Sequence, residues 1–279
     1  MIRRVWALGL IGCLVGHGSA VASSVRVAAV SVERPVIGLY ERCELTIQVE
    51  GGPITNPYDD EEIAVTATFQ PPRGSPITVE GFYYQPFERV RVNGQDALKG
   101  VGMPVWKVRF TPRRTGRWSS TVSLTTPAGS QTMPGGTFDV IASSRQGFIS
   151  VDRNRESLRF SSGASFIPIG ENLAWGPSAA PLGAYEQWFQ KLSKQGANYI
   201  RVWLAPWSFR LETNTTGVGR YDQQRAWQLD ALLEQSERFG LYWQLCLLDH
   251  GSFSQTQDPA WQHNPYNADV GGMCRLPNE

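Results

Sequence analysis

The chain has 279 residues, 41% of them hydrophobic and 18% charged, which is the balance of a globular protein and excludes a disordered one. At roughly 150 residues per domain this length accommodates about two domains. The formal net charge is +1 and no extended basic or acidic run occurs, so nucleic acid is not an expected partner.

Arg3 and Arg4 precede an apolar stretch from Val5 to Gly16 that is too short to span a bilayer. Ala20 and Ala22 then form a small-x-small cleavage site, so residues 1–22 read as a secretory signal peptide cut after Ala22. The protein is expected to be secreted or periplasmic. A second reading takes Leu10-Ile11-Gly12-Cys13 as a lipoprotein box, with lipid anchoring through Cys13. No other segment is long and apolar enough for a membrane span. Cleavage leaves Cys43, Cys246 and Cys274, an odd set that does not indicate a disulfide framework.

Residues 23–145 read as an immunoglobulin-like β-sandwich. Apolar and polar residues alternate in Cys43–Val49, Ile63–Phe69 and Val105–Phe110, which gives strands with one buried face. Turn chemistry separates them at Gly51-Gly52-Pro53, Pro71-Pro72-Arg73-Gly74, Asn93-Gly94 and Arg114-Thr115-Gly116. Trp106 and Trp118 are expected in the core, because Trp106 alternates with Val108 and Phe110. Tyr83 and Tyr84 cannot both face inward on a strand, so one is expected at the surface, where sugar stacking is an option. The acidic run Asp59-Asp60-Glu61-Glu62 is read as a solvated loop in preference to a calcium site.

From residue 146 the pattern changes. Phe166–Asn172 reads as a strand. Tyr185, Trp188, Phe189 and Leu192 fall on one helical face closed by Gly196, and Tyr199–Leu204 reads as a second strand. Leu229, Leu232, Leu233, Ser236 and Phe239 mark a second helix ended by Gly240, and Tyr242–Leu248 is a third strand. The fold class expected is therefore multidomain: the sandwich, then an incomplete α/β (TIM-type) barrel over 146–279 containing the first three βα units. Ile200, Val202 and Leu204 suit the helix layer, which puts Tyr199, Arg201 and Trp203 on the other face. By the same alternation Leu245 and Leu247 are expected under helices, with His250 at the C-terminal rim. No glycine-rich phosphate loop follows the first of these strands, which argues against a nucleotide.

At these residues the chain resembles a family of secreted bacterial glycoside hydrolases. The motifs Asn56-Pro57-Tyr58-Asp59, Gly81-Phe82-Tyr83-Tyr84, Trp106-Lys107-Val108-Arg109-Phe110-Thr111-Pro112 and Thr115-Gly116-Arg117-Trp118 are similar to an N-terminal immunoglobulin-like module of unassigned function. Gly170-Glu171-Asn172, Asn198–Trp203 and Asn264-Pro265-Tyr266-Asn267 are similar to cellulase-like (β/α)8 glycosidases with retaining chemistry. The resemblance implies that Arg201 steadies a nucleophilic carboxylate and that His250 lines the site. Asp249 and His250 are adjacent where the family has Asp-x-His, so only one of them can repeat the family role.

Retaining hydrolysis needs two carboxyls about 5 Å apart. In the family these end the fourth and seventh strands, whereas a full barrel takes about 250 residues and 146–279 supplies about half of that. Glu279 is rejected as acid/base because Gly271–Pro277 does not read as a strand, and no spacing supports a pair among Glu171, Asp249 and Glu212. The expectation is a fragment of a retaining β-glycan hydrolase that is itself inactive, with no catalytic residue in the chain. Substrate-binding residues would be Asn172, Trp175, Arg201, Trp203, Trp207, Asp249, His250 and Tyr266, the partner a polysaccharide or oligosaccharide, and no cofactor or metal is implied. The alternative is a non-catalytic glycan-binding or adhesion protein that uses the aromatic rim for stacking. A metal-dependent hydrolase using Asp249, His250, His263 and Cys274 ranks last, because their spacing fits no ligand signature.

Overall fold

The computed structural model describes residues 24–92, 95–177 and 181–277. The expected signal peptide at 1–22 with Cys13, the turn expected at Asn93-Gly94, and Asn278-Glu279 lie outside the described residues.

The N-terminal unit is built from β1 (Arg26–Val32), β2 (Val36–Gly38), β3 (Cys43–Glu50), β4 (Ala64–Gln70), β5 (Ile77–Glu80), β6 (Phe82–Tyr84), β7 (Phe87–Val92), β8 (Gln95–Gly100), β9 (Val105–Phe110), β10 (Gly116–Thr126) and β11 (Gly129–Ile141). One sheet has the order β1-β3-β9-β6 and the facing sheet β2-β11-β10-β4-β5, while β7 and β8 form a separate hairpin. The alternation in the sequence is the reason for the two layers. Val65, Ala67 and Phe69 of β4 turn inward, as do Trp106, Val108 and Phe110 of β9 and Trp118, Val122 and Leu124 of β10. Phe69 stacks on Phe110 at 4.4 Å, and Trp118 lies nearly parallel to Phe138 at 6.2 Å. Each such buried aromatic is worth about 1.5–3 kcal/mol over exposure. The indole of Trp118 donates to the Arg114 carbonyl at 3.0 Å, so its one polar atom is satisfied inside the core. Trp106 and Trp118 are core residues.

The second unit opens with a small antiparallel sheet of β12 (Ile149–Val151), β13 (Leu158–Phe160) and β14 (Ser165–Phe166). It continues through β15 (Gly170–Asn172), α1 (Pro181–Lys194), β16 (Tyr199–Trp203), α2 (Gln223–Arg238) and β17 (Tyr242–Cys246). The strand expected over Phe166–Asn172 is in fact two. Phe166 pairs with Leu158 and the Gly170–Asn172 segment pairs with β16, while Ile167 and Ile169 between them are 68% and 59% exposed. Pro168 lacks a ladder donor, which suits a break at this point.

Strands β15, β16 and β17 form a parallel sheet in that order. Both helices cover one face of it: Leu182, Tyr185 and Phe189 of α1 and Leu229 and Leu232 of α2 enclose Ile200 and Val202. Gly196 and Gly240 follow the helices at φ +78° and +68°, the left-handed conformation that ends a helix cheaply only at glycine.

The expected α/β (TIM-type) barrel segment is corrected by this architecture. The described chain is mostly β-strand, contains only two α-helices, and leaves its parallel strands as an open three-stranded sheet. Beyond β17 it runs through three 3-10 turns, Gly251–Phe253, Trp261–His263 and Ala268–Val270, with no third helix. The physical reason is legible: no apolar stripe of helical period follows Leu248. Leu245 and Leu247, expected beneath helices, are accordingly 40% and 66% exposed.

Candidate functional site

The C-terminal edge of the parallel sheet collects most of the residues singled out above. Asn172, Arg201 and Gln244 are aligned across β15, β16 and β17, and Trp203 stands opposite Cys246. Because Ile200 and Val202 are fully buried toward the helices, alternation sends Tyr199, Arg201 and Trp203 to the uncovered face. There the Tyr199 hydroxyl donates to the Gln244 side-chain carbonyl.

An aromatic cluster grows from Trp203. Its ring meets Trp175 edge-to-face at 5.5 Å and the His250 imidazole at 6.0 Å, and Trp175 in turn meets Trp207 at 5.3 Å. The Arg201 guanidinium lies 4.9 Å from the Trp203 ring, within cation–π range. Arg201 makes no ion pair among the described residues, and because this face is open its charge remains partly hydrated. Trp175 and Trp207 are 45% and 49% exposed, large for indoles that also touch one another. The Trp203 indole nitrogen is buried without a partner, a cost the cluster carries for its geometry. Trp175, Arg201, Trp203, Trp207 and His250 thus share one surface, and Asn172 is exposed beside Arg201.

Asp249 is elsewhere. Its carboxylate accepts from Arg210 at 2.9 Å, from the Ser252 amide at 3.2 Å and from the Ser252 hydroxyl, all buried. Burial lowers the pKa of the Arg210 guanidinium, and the attraction of Asp249 works against that shift. Beyond the end of β17, Asp249 is buried while His250, at the start of the 3-10 turn, is exposed, and its Nε2 lies 3.2 Å from Asp258.

Tyr266 belongs to a neighbouring cavity of about 410 Å3 lined by Leu204, Arg210, Glu212, Tyr221, Phe253 and Asn264 among others. Its hydroxyl donates to Glu212, and burial followed by that carboxylate pushes its pKa up to about 12. The second Glu212 oxygen accepts from the Gly219 amide at 2.7 Å. Sequence reading weighed Glu212 only as a stray carboxylate and did not find Arg210. Both sit in a loop without periodicity, where no pattern announces a partner.

Asp249 and Glu212 are held by internal donors, and Glu171 is exposed beside no described partner. Among the described residues no three His, Cys, Asp or Glu converge to hold a metal. Asp249 and His250 of the four-residue metal set diverge, as above. Cys43, Cys246 and Cys274 are free thiols. The Asp59–Glu62 run serves its own turn: Glu62 accepts from the Asn56 amide at 2.9 Å and the Thr55 hydroxyl at 2.8 Å. No described helix is long and apolar enough to cross a membrane.

Comparison with known proteins adds three findings. Residues 37–125 match a domain of unknown function, DUF5060. No curated protein matches the chain. Among solved structures, a candidate glycoside hydrolase from Bacteroides vulgatus superposes with a TM-score of 0.59 at 21% identity, covering 85% of this chain and 45% of that one. The present chain therefore spans less than half the length of that structure, and the likeness is one of fold. The sporulation control protein Spo0M of Bacillus subtilis (12% identity, 43% of this chain, 51% of that one) and a Paenibacillus cycloisomaltooligosaccharide glucanotransferase (14%, 78% and 27%) both have TM-scores of 0.21 and carry no argument.

Proposed function

We propose that this chain supplies the glycan-binding part of an exported β-glycan hydrolase and carries no catalytic carboxyl pair of its own. The observation behind this reading is the surface made by the exposed Trp175 and Trp207 against the partly buried Trp203, flanked by Arg201, Asn172 and His250. Pyranose rings present C–H faces that stack on indoles, and their hydroxyls take hydrogen bonds from guanidinium, amide and imidazole groups. The surface offers both kinds of group side by side. The likeness in fold to a candidate glycoside hydrolase is consistent with this reading. In this proposal neither Asp249 nor Glu212 serves as acid/base or nucleophile, because each is held by internal donors.

The test is calorimetric titration of the purified chain with gluco-, manno-, xylo- and galacto-oligosaccharides, alongside a reducing-sugar assay. Trp175→Ala and Trp207→Ala should each weaken binding about fivefold, the loss of roughly 1 kcal/mol of stacking. Turnover is expected to be absent. Hydrolysis by the wild-type chain would overturn the non-catalytic reading, and unaltered affinity in both variants would remove the tryptophans from the site. A freestanding glycan-binding or adhesion protein would bind in the same way. The two are separated by whether a catalytic partner segment restores hydrolysis.

A further inference from the structure

Asn56, Tyr58 and Arg109, in the motifs that mark the sandwich, belong neither to its apolar core nor to the glycan surface. They meet the second unit instead. Tyr58 donates its hydroxyl to the Tyr221 carbonyl at 3.1 Å, and its ring meets Tyr221 and Tyr83 edge-on at 5.1 and 5.7 Å. Asn56 donates to the Gly219 carbonyl at 3.4 Å, and Arg220 donates back to the Thr55 carbonyl at 3.2 Å. The Gln85 amide donates to the Gln223 side chain at 3.0 Å, at the first residue of α2. Farther along the helix Arg109 grips Asp230 with two bonds of 2.8 and 2.7 Å, while its Nε donates to the buried Glu44 at 2.7 Å. Phe82 lies under that guanidinium at 4.8 Å, and Tyr84 under Lys107 at 4.1 Å. Tyr83 and Tyr84 of β6, one of them expected at the surface for sugar stacking, are both half-buried and part of an internal joint.

The joint leads to the glycan surface. Asp222, which follows the tethered Tyr221, caps α2 by accepting from the Gln224 and Arg225 amides, and its own amide donates to the Leu211 carbonyl at 2.8 Å. Arg225, on the first turn of α2, donates to the carbonyls of Pro206 and Arg210 at 3.1 and 2.8 Å. Those two carbonyls bracket Trp207. Gln85 and Arg109 therefore hold the helix, with Arg42 and Arg145 paired to Glu234 and Glu237 farther along, Tyr58 holds the residue before its cap, and one arginine of the helix holds the tryptophan loop. A fork of bidentate, partly buried charge-assisted bonds is among the stiffest contacts a surface joint can have.

We propose that the sandwich unit, including the domain of unknown function, acts as a brace: Tyr58, Gln85 and Arg109 are positioning residues that hold α2 and the 205–222 loop, and so set where Trp207 stands. Its partner is this chain's own second unit, and it is not a separate carbohydrate-binding module. The effect on ligand rests on the proposed glycan surface; the effect on the loop does not.

The experiment uses the full chain and two mild variants, Tyr58→Phe, which removes one hydroxyl, and Asp230→Asn, which weakens the fork. Hydrogen exchange at the Gly219 and Asp222 amides should quicken about threefold to tenfold in each, while exchange in β4, β9 and β10 stays as in the wild type. Glycan affinity should fall about threefold or more, with Trp207 still present. Unchanged loop exchange in both variants overturns the brace. So does faster exchange with full affinity in a chain that binds glycan. If the wild type binds no glycan, the glycan reading fails on its own, and faster loop exchange alone upholds the brace. Near-ultraviolet circular dichroism checks that each variant is folded, and Gln85→Pro, which deletes the donor to Gln223, provides an independent third break in the joint.

Discussion

Asp249 separates two accounts of the region after β17, because the resemblance assigns it to substrate and the structure assigns it to a loop. Its side chain is 2% exposed and that of Arg210 10%, at 2.9 Å, with the Ser252 amide and hydroxyl completing the carboxylate. Asp249→Ala removes the anion and leaves a guanidinium buried. Breaking a buried pair from one side costs about 3–5 kcal/mol, and the remaining Ser252 contact places this case near the lower figure. At roughly 2–4 °C per kcal/mol for a chain of this size, the thermal midpoint should fall by about 6–12 °C. Arg210→Met combined with Asp249→Leu removes both charges and should recover part of that loss, because the Ser252 amide and hydroxyl still lose their acceptor. Thermal and urea unfolding of the three proteins makes the comparison, with glycan titration run in parallel. If Asp249→Ala unfolds within about 0.5 kcal/mol of wild type yet loses glycan binding, Asp249 is a ligand residue and the reasoning here is wrong.

Two further outcomes can be checked on the same material. Burial works to raise the pKa of Glu44, but hydrogen bonds from Lys107 and Arg109 prevail and hold it below the ordinary glutamate value of 4.5. A depressed carboxyl contributes stability that is complete above that value and is lost as pH falls through the lower folded one. The urea midpoint should therefore hold from pH 7 to about 5 and drop below about 4.5, less steeply in Glu44→Gln; identical acid profiles would disprove this role for Glu44. Cys43 is 2% exposed and burial pushes its thiol up to about 12, so at pH 8 only about one in ten thousand is thiolate. Iodoacetamide should label Cys246 and Cys274 in the native protein and Cys43 only after denaturation, and mass mapping that finds Cys43 modified first would contradict its placement.

Much of the sandwich was legible before any coordinates. Strict alternation in Cys43–Val49, Ile63–Phe69 and Val105–Phe110 states which side chains go inward, and Trp106 follows from its neighbours two residues away. The two helices were legible for the same reason, at a period of 3.6. The barrel was not a safe extension of them. Three parallel strands with two crossovers agree with several folds, and closure depends on what covers Leu245 and Leu247, which no local period records. In the candidate site, the grouping of Trp203 with Arg201 was legible from alternation, whereas the meeting of Trp175, Trp207 and His250 depends on three loops of unrelated length. Tyr266 was assigned to the same rim and lies instead in the Glu212 cavity.

What the amino-acid sequence determined by itself is periodic: which faces are apolar and where glycine must end a helix. What only the tertiary structure decided is pairwise and distant. That Arg109 meets Asp230 across 121 positions, that Tyr58 meets Tyr221 across 163, and that Arg210 takes Asp249 from the solvent are outcomes of docking. The difference has one physical cause. Periodicity is set by the backbone dihedrals of consecutive residues, while the choice of partner for a buried charge is set by which surfaces come together to exclude water, and a linear pattern carries no record of that.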